Sequence, residues 1–403
     1  MISDQWAVIS GQWAEIYNEK VHQLTQAAQV EMKNSPLDSV HKSLGAIMAE
    51  RDGWSVPASY GDELLEYAAV RESGAGLIDL SSRSRLLVTG SEAVQFLNGL
   101  ITNDMKTLAE NTAMPAIFPN VQGRLLASVR VIRLADKPTE KAPIPAFLLD
   151  TEAASHEQVL KTIEKFTLAG DFHVTDQTST TAMISLQGKA APEMMETVLR
   201  EPVDTMKAGS VLQSNWNDEA VTVVRATPTG EDSFDLIVGA AMAASLWSSF
   251  VANGARPVGY DAFEILRVEA GVPRYGKDMD DTTVVTETNL DEAVSYTKGC
   301  YIGQEIIARI KYRGHVAKKL RGLVFDQFSQ IDAPSPIRSV DDKEIGQITS
   351  TVYSPHVGQR LALGYVKYDY IPSGTVVKAS DGSIGHVVEL PFVHPSWQVS
   401  VEV

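Results

Sequence analysis

An α+β fold with an all-β C-terminal part is the class this sequence predicts, on three observations. The chain has 403 residues, 44% of them apolar and 21% charged. That is the composition of a soluble globular protein too long for one core, so two or three domains are expected. Between Glu63 and Asn253, segments of helical periodicity alternate with β-rich runs. The last eighty or so residues are short strand-like runs broken by Gly, Pro and Asp, including GLVFD, EIGQITSTVY, LALGYV and SIGHVVELPFV. Regular spacing of that kind suggests a small antiparallel barrel or sandwich.

Residues 1–34 form an extension in which Trp6, Ile9, Trp13, Ile16 and Tyr17 recur at three and four, the pattern of amphipathic helix. A new pattern begins at Ser35-Pro36. Glu63 to Arg71 reads as a helix, stopped by Gly74 and Gly76 before the strand-and-turn run LIDLSSRSRLLVTG. Ser91 is placed to cap the following EAVQFLNGLI, because its hydroxyl can accept from free amides of a first turn. KPTEKAPIP, Lys137 to Pro145, reads as an exposed loop between strands VRVIR and AFLLD. Ser155 to Ala169 is a helix candidate, VTVVRATPTGEDSFDLIVG a hairpin around a Pro/Gly turn, and Ala240 to Asn253 a further helix. The expected divisions are 1–34, 35–175, 176–315 and 316–403.

Charge and cysteine usage narrow the function. A formal net charge of −16 opposes the phosphate neutralisation that drives nonspecific nucleic-acid binding, so no nucleic-acid partner is expected. No run approaches eighteen apolar residues and the N-terminus lacks a signal-peptide pattern, so no membrane span and a cytoplasmic location are expected. Cys300 is the single cysteine. It can make no internal disulfide, and no Cys/His cluster offers a metal cage, so no metal site is expected.

Cys300 sits in Thr297 to Gly314, TKGCYIGQEIIARIKYRG. Gly299 and Gly303 allow a tight turn, and Ile306, Ile307 and Ile310 share one helical face, so a helix is expected to begin at Gln304 or Glu305. A thiol just before a helix N-terminus, with Lys298 two residues away, is in surroundings that favour the thiolate. A small buried gap-filler fits the same residue, and local chemistry leaves both open.

The order Lys298-Gly299-Cys300-Tyr301-Ile302-Gly303-Gln304-Glu305 resembles the signature of the YgfZ-type folate-binding proteins, a branch of the glycine-cleavage T-protein (aminomethyltransferase) superfamily. The likeness runs from about Pro36 to Val393, through EYAAVRESGAGLIDLSSRSRLLVTGSEAVQFLNGLITND, EILRVEAGVPRYGKDMDDTTVVTETNLDEAVSYTKGC and GQITSTVYSPHVGQRLALGYV. The resemblance implies a three-lobed ring, two mixed α+β lobes and a C-terminal β-barrel, whose centre holds tetrahydrofolate or a derivative. It places Glu231, on the hairpin turn, where an acidic residue grips the pterin. Arg267, Glu269, Tyr275 and Asp278 fall in its other dense motif, where they line the ring or form salt-bridged scaffold; Gly299, Tyr301, Gly303 and Gln304 would border the folate.

The same comparison exposes departures. T-proteins carry an Asp-Asp pair where this chain has Leu126-Ala127, lack the cysteine motif, and have a tyrosine where Pro228 precedes Thr229 and Gly230. The resemblance therefore implies a folate-binding protein that assists assembly or repair of iron–sulfur clusters in client proteins, with Cys300 as the working thiolate and Lys298 lowering its pKa. One thiolate cannot hold a stable cluster, so partners would complete the shell. Two alternatives stand beside it. One is a folate-dependent aminomethyltransferase or demethylase using another carboxylate such as Asp104; the other is a non-catalytic interaction protein binding partners through residues 1–34. Arg309 to Arg321 holds six Lys/Arg and no acid, a segment suited to a folate's glutamyl tail, an acidic partner or plain solvation.

Overall fold

The computed structural model describes residues 32–138, 142–165 and 170–394. The expected extension at 1–34 therefore lies almost wholly outside the described residues. Its last two positions form β1 (Lys33–Asn34), which starts a small sheet with β2 (Ile47–Arg51) and β3 (Trp54–Ser59); α1 (Asp38–Ser43) links them. α2 (Glu63–Arg71) begins where Asp62 accepts from the Leu65 amide, a side-chain cap for one of the free first-turn donors.

β4 (Gly76–Asp79) leads into a five-stranded sheet. Its elements are β5 (Ser84–Thr89), α3 (Ala93–Leu100), β6 (Thr112–Pro119), β7 (Leu125–Arg133), β8 (Ala146–Thr151), α4 (His156–Glu164) and β9 (His173–Asp176). The sheet order is β6-β7-β8-β5-β9. Ser91 does not cap α3. Its amide and hydroxyl both donate to Asp171, at 2.8 and 2.7 Å, and Glu92 occupies the cap position.

A six-stranded sheet follows, built by β10 (Thr181–Gln187), α5 (Ala191–Leu199), β11 (Val211–Trp216), β12 (Glu219–Ala226), β13 (Ser233–Gly239), α6 (Ala240–Ala252) and β14 (Arg256–Pro257). Its order, β11-β12-β13-β10-β4-β14, takes β4 from before the first sheet. The two lobes thus interleave along the chain, and a linear cut at 175 leaves a strand of the second on the wrong side.

Side-chain alternation gives each sheet an outer and an inner face. Ile184, Leu186, Phe234 and Leu236 pack outward with Trp247 and Phe250 of α6. In the first lobe Ala127, Val129, Phe147 and Leu149 pack outward with Leu97 of α3 and Ile163 of α4. Ile132, Leu148, Met183 and Ile237 meet in one cluster from the inner faces, so the sheets confront each other.

α7 (Tyr260–Glu269) runs between the lobes with every residue except Asp261 buried. A helix enclosed all round is ordinarily apolar, so its charges need partners. Glu264, Arg267 and Glu269 have them. After α8 (Gln304–Arg313), β15 (Lys318–Phe325), β16 (Ser335–Arg338), β17 (Glu344–Ser354), β18 (Gln359–Lys367), β19 (Val376–Lys378) and β20 (Ile384–Val388) close a barrel in the order β15-β18-β17-β16-β19-β20. Its interior is apolar: Leu323, Phe325, Ile337, Ile348, Val366 and Val387. A second cluster of Leu320, Leu361, Leu363 and Tyr365 fixes the barrel against Val268 of α7. Among the described residues no helix is long and apolar enough to cross a membrane.

Candidate functional site

Where the inner faces meet, they leave a cavity of about 460 Å³. Ser128 and Arg130 of β7 and Asp150 of β8 form one wall; Val224 of β12 and Asp235 of β13 form the opposite wall. Thr227 and Pro228 of the β12–β13 hairpin, Phe263 and Arg267 of α7, and Tyr275 complete the enclosure. An apolar enclosure with a few convergent polar groups is the usual form of a small-molecule site.

The polar floor is a chain of alternating charges. Arg83 Nε donates to Asp150 at 2.7 Å, and another of its nitrogens pairs with Glu152. Arg130 reaches Asp150 at 2.8 Å and Asp235 at 2.6 Å. Burial alone would raise the Asp150 pKa; Arg83 and Arg130 outweigh it and hold the carboxylate below its ordinary range. Asp150 is therefore a fixed anion rather than a proton carrier. Glu292, in the short turn Asp291–Ala293, is the acid among the described wall residues without an ion-pair partner. Asn103 positions that turn, donating to the carbonyls of Pro115 at 2.8 Å and Glu292 at 3.0 Å.

The expected site residues are distributed differently. Glu231 is buried but is not a wall residue: Arg71 donates to its Oε1 and binds Glu269 at 2.7 Å. Tyr67 and Ser354 also donate to Glu269, at 2.8 and 2.5 Å. Glu231 thus joins a network tying α2, the hairpin, α7 and the barrel: it sits in the turn before β13, whereas Asp235, four residues later, lies within β13 and lines the cavity.

Arg267 and Tyr275 are in the wall. The Arg267 guanidinium is already engaged by Glu264 at 3.0 Å, Asp278 at 2.7 Å, the Val272 carbonyl at 2.6 Å and Ser350 at 2.9 Å. Burial pushes the Tyr275 hydroxyl up to about 12, with Asp281 and Asp280 adding to it, so it remains a neutral donor.

None of Lys298 to Gln304 forms the wall. Lys298 is buried, its ammonium donating to the carbonyls of Asn98, Ile101 and Asn103 at 2.8, 2.9 and 2.6 Å. An ammonium has three N–H groups, so none remains for the Cys300 thiolate. Lys298 is an anchor, which corrects its expected role as activator. Tyr301 is buried under it, 4.9 Å from ring centre to Nζ, and Gln304 donates to the Lys298 carbonyl at 3.4 Å. Gly299 and Cys300 are exposed. Gly303 stands at φ +78°, and a Cβ there would meet the Asn120 carbonyl oxygen at 2.3 Å, so only glycine fits between this loop and the turn before β7. Among the described residues no group of His, Cys, Asp and Glu is arranged to hold a metal ion.

Leu126 is the extra residue where the β6–β7 register slips, and it packs against the outer cluster that holds Ala127, so neither side chain lines the cavity. Neither position offers an acid to the cavity. The residues missed from sequence are Arg83, Arg130, Asp150, Asp235 and Glu292. Asp235 left one signal, a lone acid inside the apolar run SFDLIVG.

Two mixed lobes meet around a polar-floored cavity, with a closed barrel packed against α7. Residues 37–298 match the GCVT N-terminal domain and residues 318–393 the glycine cleavage T-protein C-terminal barrel domain. The chain belongs to the glycine-cleavage T-protein family. It is 30% identical to the aminomethyltransferase of Thermotoga neapolitana, over 91% of this chain and 99% of that protein. Identity is 29% to the aminomethyltransferase of Herpetosiphon aurantiacus, over 86% and 93%. The crystal structure of the glycine cleavage system aminomethyltransferase T from Bartonella henselae superimposes with a TM-score of 0.82 at 24% identity, covering 90% of this chain and 99% of that one. That likeness shows the fold.

Proposed function

We propose that the chain binds a reduced folate in the central cavity and takes part in transfer of a one-carbon group to or from it. The observation that carries this reading is Asp235, a carboxylate in the cavity wall with one oxygen held by Ser185 and the other by Arg130. Each oxygen keeps a lone pair for a further donor, so the pair suits two adjacent N–H groups, as on a pterin edge. Val224 and Phe263 supply apolar surface for a flat ring, and the aminomethyltransferase names of the relatives agree with the choice of ligand.

When bound, a tetrahydrofolate supplies nucleophilic ring nitrogens that carry the one-carbon unit. The chain's own contribution is to orient the ring through Asp235, exclude water between the two sheets and move a proton. β7 offers no acid at Leu126 or Ala127, so we assign proton transfer to Glu292, the wall carboxylate free of arginine. This departure argues against a mechanism copied from the glycine-cleavage enzymes and favours a different amine or methylamine donor.

The test is an anaerobic titration with tetrahydrofolate followed by turnover assays with aminomethylated and N-methylated donors. Saturable binding and turnover that Glu292→Gln reduces without changing affinity support the reading; no binding at millimolar ligand removes it.

One observation favours a second reading, a YgfZ-type role in iron–sulfur cluster assembly or repair. Cys300 is exposed on a loop that Lys298 and Gly303 hold rigidly against the first lobe, outside the cavity, where a client protein can reach it. Folate-dependent turnover with full retention of client iron–sulfur activity in a Cys300→Ala strain excludes this role.

A further inference from the structure

Buried polar side chains on a central strand need a reason, because apolar residues occupy such positions without a desolvation cost. β10 carries two on its inner face, Ser185 and Gln187, both wholly enclosed. They form a hydrogen-bonded chain with Thr229, itself fully buried in the hairpin turn. Thr229 Oγ1 is 2.7 Å from Gln187 Oε1, Gln187 Nε2 is 2.9 Å from Ser185 Oγ, and Ser185 Oγ is 2.5 Å from Asp235 Oδ1. Ser185 lies directly across the strand pair from Asp235.

The direction of every bond in this chain is forced. A carboxylate paired with an arginine has no proton to give, so Ser185 donates its single proton to Asp235. Ser185 must then accept from Gln187, which only the amide NH₂ can supply. That leaves the Gln187 carbonyl facing Thr229, whose hydroxyl donates. Three dipoles thus point one way, and in a low-dielectric interior such bonds polarise and strengthen one another. Arg130 holds the second oxygen at 2.6 Å, so the carboxylate is fixed at both ends. The chain is rooted in Thr229, beside Thr227 and Pro228 of the cavity wall, so it also sets the height of the hairpin over the ligand space.

We propose that Thr229, Gln187 and Ser185 are positioning residues: a relay that holds the Asp235 carboxylate in place, turned into the cavity and matched to paired N–H donors. The proposal rests on the folate reading of the cavity and specifies how its pterin end is selected. Fixing the carboxylate beforehand removes the ordering cost from binding, so the effect falls on the group Asp235 touches and not on the rest of the ligand.

The test compares two fragments by equilibrium titration of the full chain: a tetrahydropterin without its tail, and p-aminobenzoylglutamate. Ser185→Ala should weaken the tetrahydropterin at least tenfold, or about 1.4 kcal/mol, while the tail fragment stays within about twofold. Ser185→Thr, which keeps the hydroxyl, should restore the tetrahydropterin affinity. Thr229→Val, whose side chain is three bonds of the relay away from Asp235, should weaken it in the same direction and by less. Unchanged tetrahydropterin affinity in both Ser185→Ala and Thr229→Val overturns the relay, as does an equal loss for both fragments. Asp235→Asn separates the two levels. If it abolishes tetrahydropterin binding while Ser185→Ala does not, the relay alone fails; if wild type and Asp235→Asn bind alike, or wild type binds neither fragment, the cavity reading fails and the relay with it.

Discussion

The Lys298 ammonium lies 2.6 Å from the carbonyl oxygen of Asn103, joining the cysteine loop to a segment nearly two hundred residues earlier in the chain. Two more carbonyls, of Asn98 and Ile101, complete its shell at the end of α3. A cation suits this place, because the last carbonyls of a helix have no intrahelical donors and carry partial negative charge. Lys298 therefore closes α3 and holds the Cys300 loop on the first lobe.

Lys298→Met should cost about 1–3 kcal/mol at pH 7, the usual penalty for leaving buried acceptors unsatisfied. The pH dependence gives a second check. Burial pushes the Lys298 pKa down from 10.5 to about 8, with Asp104 partly opposing. Between those values the unfolded chain binds more protons than the folded one, so wild-type stability gains on the variant as pH rises. Chemical denaturation at pH 7 and pH 10 should show the gap widening; a gap independent of pH would mean that the ammonium is not titrating in its carbonyl shell.

Asp235 and Glu231 make a sharper pair. Both are buried acids of one hairpin, yet only Asp235 faces the cavity. Asp235→Asn should weaken tetrahydrofolate by about ten- to a hundredfold, the loss expected for a hydrogen bond to a charged group. Glu231→Ala should leave affinity within threefold and instead lower unfolding stability by about 3–5 kcal/mol, the range for stripping one partner from a buried ion pair. The reverse pattern in titration and denaturation would restore Glu231 to the ligand.

That contrast shows what a single sequence discloses. The helix Glu63–Arg71, the hairpin closing at Ser233 and the helix beginning at Gln304 follow from local signals: helical periodicity stopped by glycines, a Pro/Gly turn, and Gly303 before three isoleucines on one face. The barrel strands were readable because turn residues punctuate them. Long-range partners left no such trace. Ser91 reads as a cap until Asp171, eighty residues on, takes both its donors. Lys298 reads as a thiol's neighbour until α3 claims its charge. Arg130 and Asp150 read as ordinary strand residues, since nothing local says that two sheets will face each other across them.

Acid should expose the junction of α7 with the barrel. Burial alone would raise the Glu264 pKa, but Arg267, Arg274 and Lys277 outweigh it and hold the carboxylate far below its ordinary 4.5. A depressed folded pKa contributes stability that is present above 4.5 and lost as pH falls below it. Arg267→Met should cost about 3–5 kcal/mol at pH 7 because it leaves Asp278 buried without its ion pair and takes one of several cations from Glu264. The difference from wild type should shrink below the ordinary 4.5, where a protonated Glu264 no longer needs the arginine. Denaturation curves at pH 7 and pH 3.5 decide it: an undiminished gap would place the loss in packing rather than charge.

Cys300 is the remaining case, and its geometry separates it from the folate. The thiol is exposed, the adjacent Gly299 is exposed, and neither borders the cavity. A thiol reagent should therefore label the native chain to one equivalent without prior unfolding, and a saturating tetrahydrofolate should not slow it. Cys300→Ala should retain wild-type folate affinity and stability within about 0.5 kcal/mol, as for an exposed side chain away from special features. Protection of the thiol by folate would bring the loop into contact with the ligand and join the two sites. Independence would leave Cys300 as a separate reactive position, so that any thiol chemistry acts on whatever docks at the first lobe rather than on the one-carbon carrier within the ring.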